Sequence, residues 1–288
     1  MSVVRVEPHD FDWARDDGPA AQVRRIVAAA DAYDGVVNLN EAATLELRHG
    51  GLEAAELFLH HDGFALLRGR ELDLLVSPGA RGRGIGTALL TASLAADHEI
   101  LEAWSHVDHP AAGSLARGFG FDRVRDLWVM ARPLEAPLGA RVPDSVLVRG
   151  FTDADIPTIL DINARAFAHH PEQGALSEGD LRRRMSEAWF DPQGLLIAER
   201  AGRVAGFHWT KMHPDAVGEV YVVAVDPDAA GHGLGGVLTA AGLDYLHSQG
   251  AREVILYVDA DNDPAVHLYE RWDFTRSRVE AQYRRESR

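Results

Sequence analysis

One unit occurs twice in this chain, and its second occurrence constrains the fold more than any other feature of the sequence. At 220–225 a run of β-branched and apolar residues reads as a buried strand, which Asp226-Pro227 stops. A glycine-dense turn follows, with Gly231, Gly233, Gly235 and Gly236. The helix after it keeps a 3.6-residue period through Leu234, Val237, Leu238, Ala241 and Tyr245. A strand leading through glycines into a helix start gathers free backbone N–H groups at the positive end of the helix dipole, which makes a cradle for phosphate. The same unit stands at 71–92. Setting Pro78 against Pro227 brings Gly84 onto Gly233, Gly86 onto Gly235 and Leu89 onto Leu238 without a gap, and each copy runs on to an aromatic ending, Phe121 or Phe274. The chain is therefore expected to be a tandem repeat of one domain of about 140 residues, an ordinary domain size.

With 288 residues, 46% of them hydrophobic, the chain can bury two cores. No apolar run approaches about 18 residues, so no membrane span is expected. The opening MSVVRVEPHDFDWARDD has neither the basic start nor the apolar core of a secretory signal. The lack of cysteine excludes a disulfide framework and thiol chemistry. A net charge of −15 argues against a broad nucleic-acid-binding face but leaves room for a small anion held locally. The expectation is a cytoplasmic monomer that binds neither membrane nor nucleic acid.

In the first copy, 2–6 reads as a short strand, 19–33 as a helix, and 54–60 with 63–67 as a hairpin. The cradle strand at 72–76 and its helix at 84–96 follow, then a strand at 101–107, a helix at 111–118 and a strand at 125–131. Three prolines within 132–144 mark a stiff connection, which places the domains at 1–134 and 146–288 with a linker at 135–145. In the second copy a strand at 146–149 precedes Thr152, which with Asp155 three residues on reads as a helix N-cap. A helix at 177–189, hairpin strands at 194–200 and 203–211, a strand at 253–258, a short helix at 264–271 and a strand at 276–284 complete it. Glu41 falls in a polar connection. His169-His170 begins a polar loop; adjacent histidines point apart and no partner has ligand spacing, so no metal is expected.

A strand ending in Val-x-Pro, followed by Arg/Gln-x-x-Gly-x-Gly/Ala at a helix start, resembles the acetyl-CoA-binding motif of the GCN5-related N-acetyltransferases, the GNAT family. Arg81, Gly84 and Gly86 match it fully, whereas the second copy keeps Gly233 and Gly235 but has Ala230 at the Arg/Gln position. Asn262, Ala265 and Tyr269 resemble the family's Asn-x-x-Ala…Tyr segment. The resemblance implies an α/β fold of two tandem GNAT-type domains with mixed sheets. It implies acetyl-CoA along Val223, Ala224 and Val225, then along Ala230, Gly231, His232, Gly233, Leu234, Gly235 and Gly236. The pantetheine arm would follow Asn262, Asp263, Pro264, Ala265, Val266 and His267. A second acetyl-CoA, in the first copy, would lie along Leu74, Leu75 and Val76, and along Arg81, Gly82, Arg83, Gly84, Ile85 and Gly86.

The order of landmarks, among them NLNEAATL at 38–45 and LYVDADNDPAVHLYERWDF at 256–274, is similar to tandem members that acetylate the cysteinyl amine of a cysteine–glucosamine–inositol conjugate. That likeness implies Glu41, Glu172, Lys211, Glu219 and Tyr257 as contacts of a small thiol-sugar substrate. An ammonium cannot attack a thioester, so such chemistry needs a proton acceptor beside the amine and a donor for the departing thiolate. Glu219 is the expected base and Tyr269 the expected acid, with N–H groups at 223–225 polarising the acetyl carbonyl. In the gapless cradle comparison Arg70 falls opposite Glu219, and anchoring the second part on Phe121 and Phe274 places Ala116 opposite Tyr269 and His109 opposite Asn262, so catalysis is expected in the C-terminal copy. Two other readings stay open: acetylation of another amine, on an aminoglycoside or a protein N-terminus, and a noncatalytic acetyl-CoA-binding module.

Overall fold

The computed structural model of the chain describes residues 2–95, 100–168, 174 and 176–286. Two compact units form. The first holds Met1–Trp128, Asp259–Asp261 and Arg278–Arg288, and the second Val129–Val258 and Asn262–Ser277. Unit 1 runs β1 (Val4–Val6), α1 (Gly18–Asp34), α2 (Glu41–His49), β2 (Ala55–His60), β3 (Gly63–Arg68), β4 (Glu71–Val76), α3 (Ile85–Ser93), β5 (Ile100–Ser105) and α4 (Pro110–Gly118). The strand β6 (Asp122–Pro133) starts in unit 1 and ends in unit 2. Unit 2 continues with β7 (Val146–Gly150), α5 (Ile156–Ala166), α6 (Glu178–Met185), β8 (Leu195–Arg200), β9 (Arg203–Met212), β10 (Val217–Val225), α7 (Leu234–Ser248), β11 (Glu253–Asp259) and α8 (Asp263–Glu270). The last strand, β12 (Thr275–Glu286), leaves unit 2, and its end pairs with β5 in unit 1 from Ala281↔Ser105 to Glu286↔Ile100.

Each unit has a mixed sheet. Antiparallel strands β1–β4 and β7–β10 lead to one parallel pair, β4 with β5 or β10 with β11. The repeat extends to the packing: Gly63 and Gly206 occupy matching ladder positions, opposite Val76 and Val225. A Cβ on either would stand 2.8 or 2.7 Å from a strand carbonyl, and 3.0 Å from Leu89 or Leu238 of the cradle helix. The helix lies that close to the sheet because there is no side chain there to hold it off.

Local signals account for most boundaries. Thr152 and Asp155 form a capping box, with Thr152 N donating to Asp155 Oδ2 at 2.8 Å. The connection expected around Glu41 is instead the start of a helix. Asn40 caps α2 by accepting from Ala43 N at 2.8 Å, and Glu41 is its first residue, a favourable place for a carboxylate at the helix dipole. Residues 135–145 lie within unit 2, where Asp244 of α7 accepts from Leu138, Gly139 and Ala140 N–H groups.

One core residue gives a stability test. His208 on β9 is fully buried; its Nδ1 lies 2.8 Å from the Leu238 carbonyl, and Nε2 has no partner among the described residues. Burial pushes its pKa down to about 4, so the folded protein holds it neutral. An unfolded histidine binds a proton near pH 6.5, so its contribution is intact above that pH and is lost as pH falls toward 4, about 3 kcal/mol in all. Urea midpoints at pH 7 and 4.5 should therefore differ more for the native protein than for His208→Leu.

Candidate active site

The parallel pair in unit 2 is short. β10 pairs with β11 over Val217–Glu219 against Glu253–Ile255, while β10 continues to Val225 along β9. Beyond Glu219 the β11-facing edge of β10 leaves the parallel ladder, so its N–H groups from Val220 onward are not paired with β11. The divergence coincides with a bulge: the β9 register shifts between Val220 and Val222 and leaves Tyr221 without an opposite residue. A bulge bends and twists its strand, and such features recur beside active sites.

Val223, Ala224 and Val225 lie along this edge, and a turn over Pro227–Ala229 carries the chain to the cradle. Gly231 (φ 83°) and Gly233 (φ 71°) adopt left-handed conformations, and Gly233 is the N-cap of α7. Gly82 (φ 74°) and Gly84 (φ 80°) do the same before α3. Glycine takes this conformation without the steric cost other residues bear. A Cβ on Gly84 or Gly233 would meet nothing within 4 Å, so the space beside each is open. Both turns thus present a helix start with unobstructed N–H groups, the arrangement that suits phosphates.

Glu219 is buried, 6% exposed. Its Oε2 lies 2.5 Å from His213 Nε2. Lys211 stands directly opposite Glu219 in the ladder, and its Nζ sits 4.6 Å from the ring centroid of Trp189 and 5.1 Å from that of Tyr221. Arg184 of α6 donates to the Tyr221 hydroxyl at 2.8 Å. The structure thus brings Glu219 and Lys211 together, and adds His213, Tyr221, Trp189 and Arg184, which the sequence reading passed over. His213 was findable. It is the diagonal neighbour of Glu219 across the β9–β10 turn, and diagonal neighbours share a sheet face.

Tyr269 lies on α8 and packs edge-on against Phe274 with centroids 5.9 Å apart. Burial pushes its phenol up to about 12, so it keeps its proton at neutral pH. Asn262 caps α8, its side chain accepting from Ala265 N at 3.3 Å, and it is followed by Asp263, Pro264, Ala265, Val266 and His267 in the first turns. Tyr257, on β11, is 39% exposed. Glu172, with His169, His170 and Gln173, lies outside the described residues. Among the described residues no group of three or more His, Cys, Asp or Glu could hold a metal ion, and no helix is long and apolar enough to cross a membrane.

Unit 1 corrects one expectation. The gapless comparison set Arg70 opposite Glu219, but the bulge at Tyr221 adds a residue to β10 that β4 lacks. Counted along the ladders, Glu219 faces Lys211, and the matching pair in unit 1 is Glu71 with Arg68. Arg70 precedes β4, 3.7 Å from Glu102. Unit 1 therefore has a carboxylate at the position matching Glu219, but Arg68 Nη2 donates to Glu71 at 2.5 Å and to Asp73 at 3.0 Å. A guanidinium stays protonated and occupies the carboxylate, leaving Glu71 a poor acceptor for another proton. The other matches hold. His109 and Asn262 are the N-caps of α4 and α8, which puts the buried Ala116 at the place of Tyr269.

The expected phosphate contact of Arg81 is already taken up: Nη1 and Nη2 donate to Asp34 at 2.7 and 2.6 Å, and Nε donates to the Val76 carbonyl at 3.2 Å. In unit 2 the polarity is reversed, with Asp226 before the cradle receiving Arg165 of α5 at 2.6 and 2.9 Å. Unit 1 also holds a cavity of about 510 Å³ between its diverging strands. Leu74, Val76, Gly84, Ile85, His109 and Tyr283 are among the residues that line it.

The acetyltransferase (GNAT) family model matches this chain over residues 53–121 and 158–274. A mycothiol acetyltransferase from Nocardioides sp. is 49% identical over 287 residues, an alignment covering 92% of this chain and 97% of that protein. One from Thermobispora bispora is 48% identical, with 93% and 96% covered. Among solved structures, a tandem GNAT protein from the clavulanic acid biosynthesis pathway superposes with a TM-score of 0.69 at 18% identity, covering 99% of this chain and 98% of that one. A GCN5-related N-acetyltransferase from Sphaerobacter thermophilus gives 0.68 at 22% identity, with 99% and 95% covered. At these identities the structural likenesses speak for the fold.

Proposed function

This chain belongs to the GNAT acetyltransferase family and, within it, to the mycothiol acetyltransferases, and from that membership we propose that its C-terminal unit transfers acetyl from acetyl-CoA to the cysteinyl amine of a cysteine–glucosamine–inositol conjugate. The observation that carries the catalytic assignment is Glu219: a buried carboxylate where β10 and β11 part, on the strand that leads to the glycine cradle.

The open edge of β10 and the left-handed glycines fit an extended thioester whose phosphates end at the start of α7. Glu219 takes a proton from the substrate ammonium, and the freed amine attacks the acetyl carbonyl. Negative charge then grows on the carbonyl oxygen, where N–H groups at 223–225 can bind it. The nitrogen gives up its second proton to solvent as the C–S bond breaks, and the departing thiolate needs a partner until solvent protonates it. Free thiols titrate near 8.5, so a phenol raised to about 12 does not hand over its proton readily. Tyr269 therefore serves chiefly as a hydrogen-bond donor to the sulfur as its charge develops. Tyr269→Phe should lower kcat by roughly 10²-fold, the scale of one lost donor to a developing anion, with the KM for acetyl-CoA little changed. Steady-state kinetics on the folded variant checks this.

Lys211 and Tyr257 are proposed substrate contacts within unit 2. Glu41 and Glu172 are proposed as further contacts, each to be tested by substitution with Gln. The cavity of unit 1 supports a second acetyl-CoA there, in a unit whose counterpart of Glu219 is paired with Arg68. The function is tested by offering the purified protein acetyl-CoA with the conjugate, an aminoglycoside or an N-terminal peptide. The reading expects the conjugate to have the highest kcat/KM. A preference for either other amine by about tenfold, roughly 1.4 kcal/mol of transition-state discrimination, would overturn it.

A further inference from the structure

We infer that His213 is a positioning residue for the base: it fixes one oxygen of Glu219, and its charge state decides whether that carboxylate can accept the amine proton. The inference rests on Glu219 being the base of the proposed reaction.

The geometry is built in rather than incidental. His213 follows the last residue of β9 and Glu219 lies near the start of β10, and the turn between them is tight. His213 N donates to the Val217 carbonyl at 2.8 Å, and Asp215 and Ala216 both take left-handed conformations (φ 59° each). Neither is a glycine, so the turn carries strain that the surrounding strands must hold. Its effect is to set the imidazole diagonally across from Glu219, with Nε2 2.5 Å from Oε2. His213 is itself only part-exposed, and Glu219 is buried, so few other arrangements of the pair are open. With Oε2 held, Oε1 is the oxygen left for an incoming ammonium.

The surroundings make this contact decisive. From β9, Lys211 faces Glu219, but its ammonium stacks on Trp189 and Tyr221. From β11, apolar Ile255 is the ladder partner of Glu219, with Glu253 and Tyr257 two residues to either side. Asp215 is the remaining acidic group of the turn, and Arg184 of α6 reaches this face only through the Tyr221 hydroxyl. All of these are common to the native protein and to variants at 213. A neutral imidazole donating from Nε2 orients the carboxylate without cancelling its charge. An imidazolium makes an ion pair with it, as Arg68 does with Glu71 in unit 1, and so disfavours its protonation by the substrate.

Two substitutions separate orientation from charge. His213→Leu removes both and should lower kcat roughly tenfold or more, with the KM for acetyl-CoA within about twofold. His213→Gln keeps an N–H donor but cannot become a cation. It should recover most of the plateau kcat, while the acid limb of its pH profile moves to lower pH because no cation can form beside Glu219. Melting curves establish folding, and if the Leu variant does not fold, the acid limb of the Gln variant alone decides. A folded His213→Gln protein with native kcat and an unmoved acid limb would overturn the inference. Glu219→Gln, assayed in parallel, keeps the two claims apart. If it is inactive while the His213 variants behave as native, only the role of His213 fails; if it is active, the base assignment itself fails.

Discussion

Glu219→Gln is expected to lower kcat by roughly 10²–10⁴-fold while leaving acetyl-CoA affinity nearly unchanged, the usual scale for loss of a general base. The substitution keeps the shape of the side chain and its place beside His213, so the fold has little reason to respond. What it removes is the ability to accept a proton. Glu219 is 6% exposed and stands where the β10–β11 pairing ends, so bulk water is poorly placed to substitute. The matching carboxylate of unit 1, Glu71, cannot compensate, because Arg68 already occupies it. Turnover near the native value at pH 7 would remove Glu219 from the mechanism.

Gly233→Glu is expected to abolish acetyl transfer. The glycine sits at φ 71° as the N-cap of α7, and a Cβ there would meet no atom within 4 Å. The backbone strain of a left-handed non-glycine residue is about 1–2 kcal/mol, which a folded domain of ordinary stability survives. The new side chain instead projects into the open cradle, where its bulk and negative charge oppose phosphates. Acetyl-CoA binding to unit 2 should be lost, and with it any acetyl group within reach of Glu219. Thermal melting confirms folding, and calorimetric titration with acetyl-CoA reads the loss of the site. A folded Gly233→Glu protein that still binds acetyl-CoA in unit 2 would mean that this turn does not hold the phosphates.

The parts of this architecture governed by short-range chemistry could be read directly. Pro78 and Pro227, the glycines after them and the helical stripes fixed both cradles, because left-handed turns and helical periods leave their mark within a dozen residues. Asn40 shows a milder limit: a good N-cap residue stands just before Glu41, but the polar stretch around it masked the helix start. What could not be read depends on pairing between distant residues. The bulge at Tyr221 shifts a register by one residue, which replaces Arg70 by Glu71 as the counterpart of Glu219, and nothing in the local pattern of 217–225 announces it. Likewise, no periodicity indicates that the end of β12 joins β5, or that Arg81, a motif residue, pairs with Asp34 at the end of α1. The proposed catalytic assignment now rests on a different reason: the unit 1 counterpart of Glu219 is held by Arg68, and its tyrosine position holds Ala116.

The central claim, that the two copies divide chemistry from binding, is tested most directly by measuring the turnover of folded Gly84→Glu beside that of Gly233→Glu. Gly84 has φ 80° and open space around its Cβ position, so the two substitutions are closely matched in strain and in charge. The expected result is that Gly84→Glu loses acetyl-CoA from unit 1 yet retains acetyl transfer, while Gly233→Glu has none. Loss of transfer in folded Gly84→Glu, with transfer kept in folded Gly233→Glu, would contradict it.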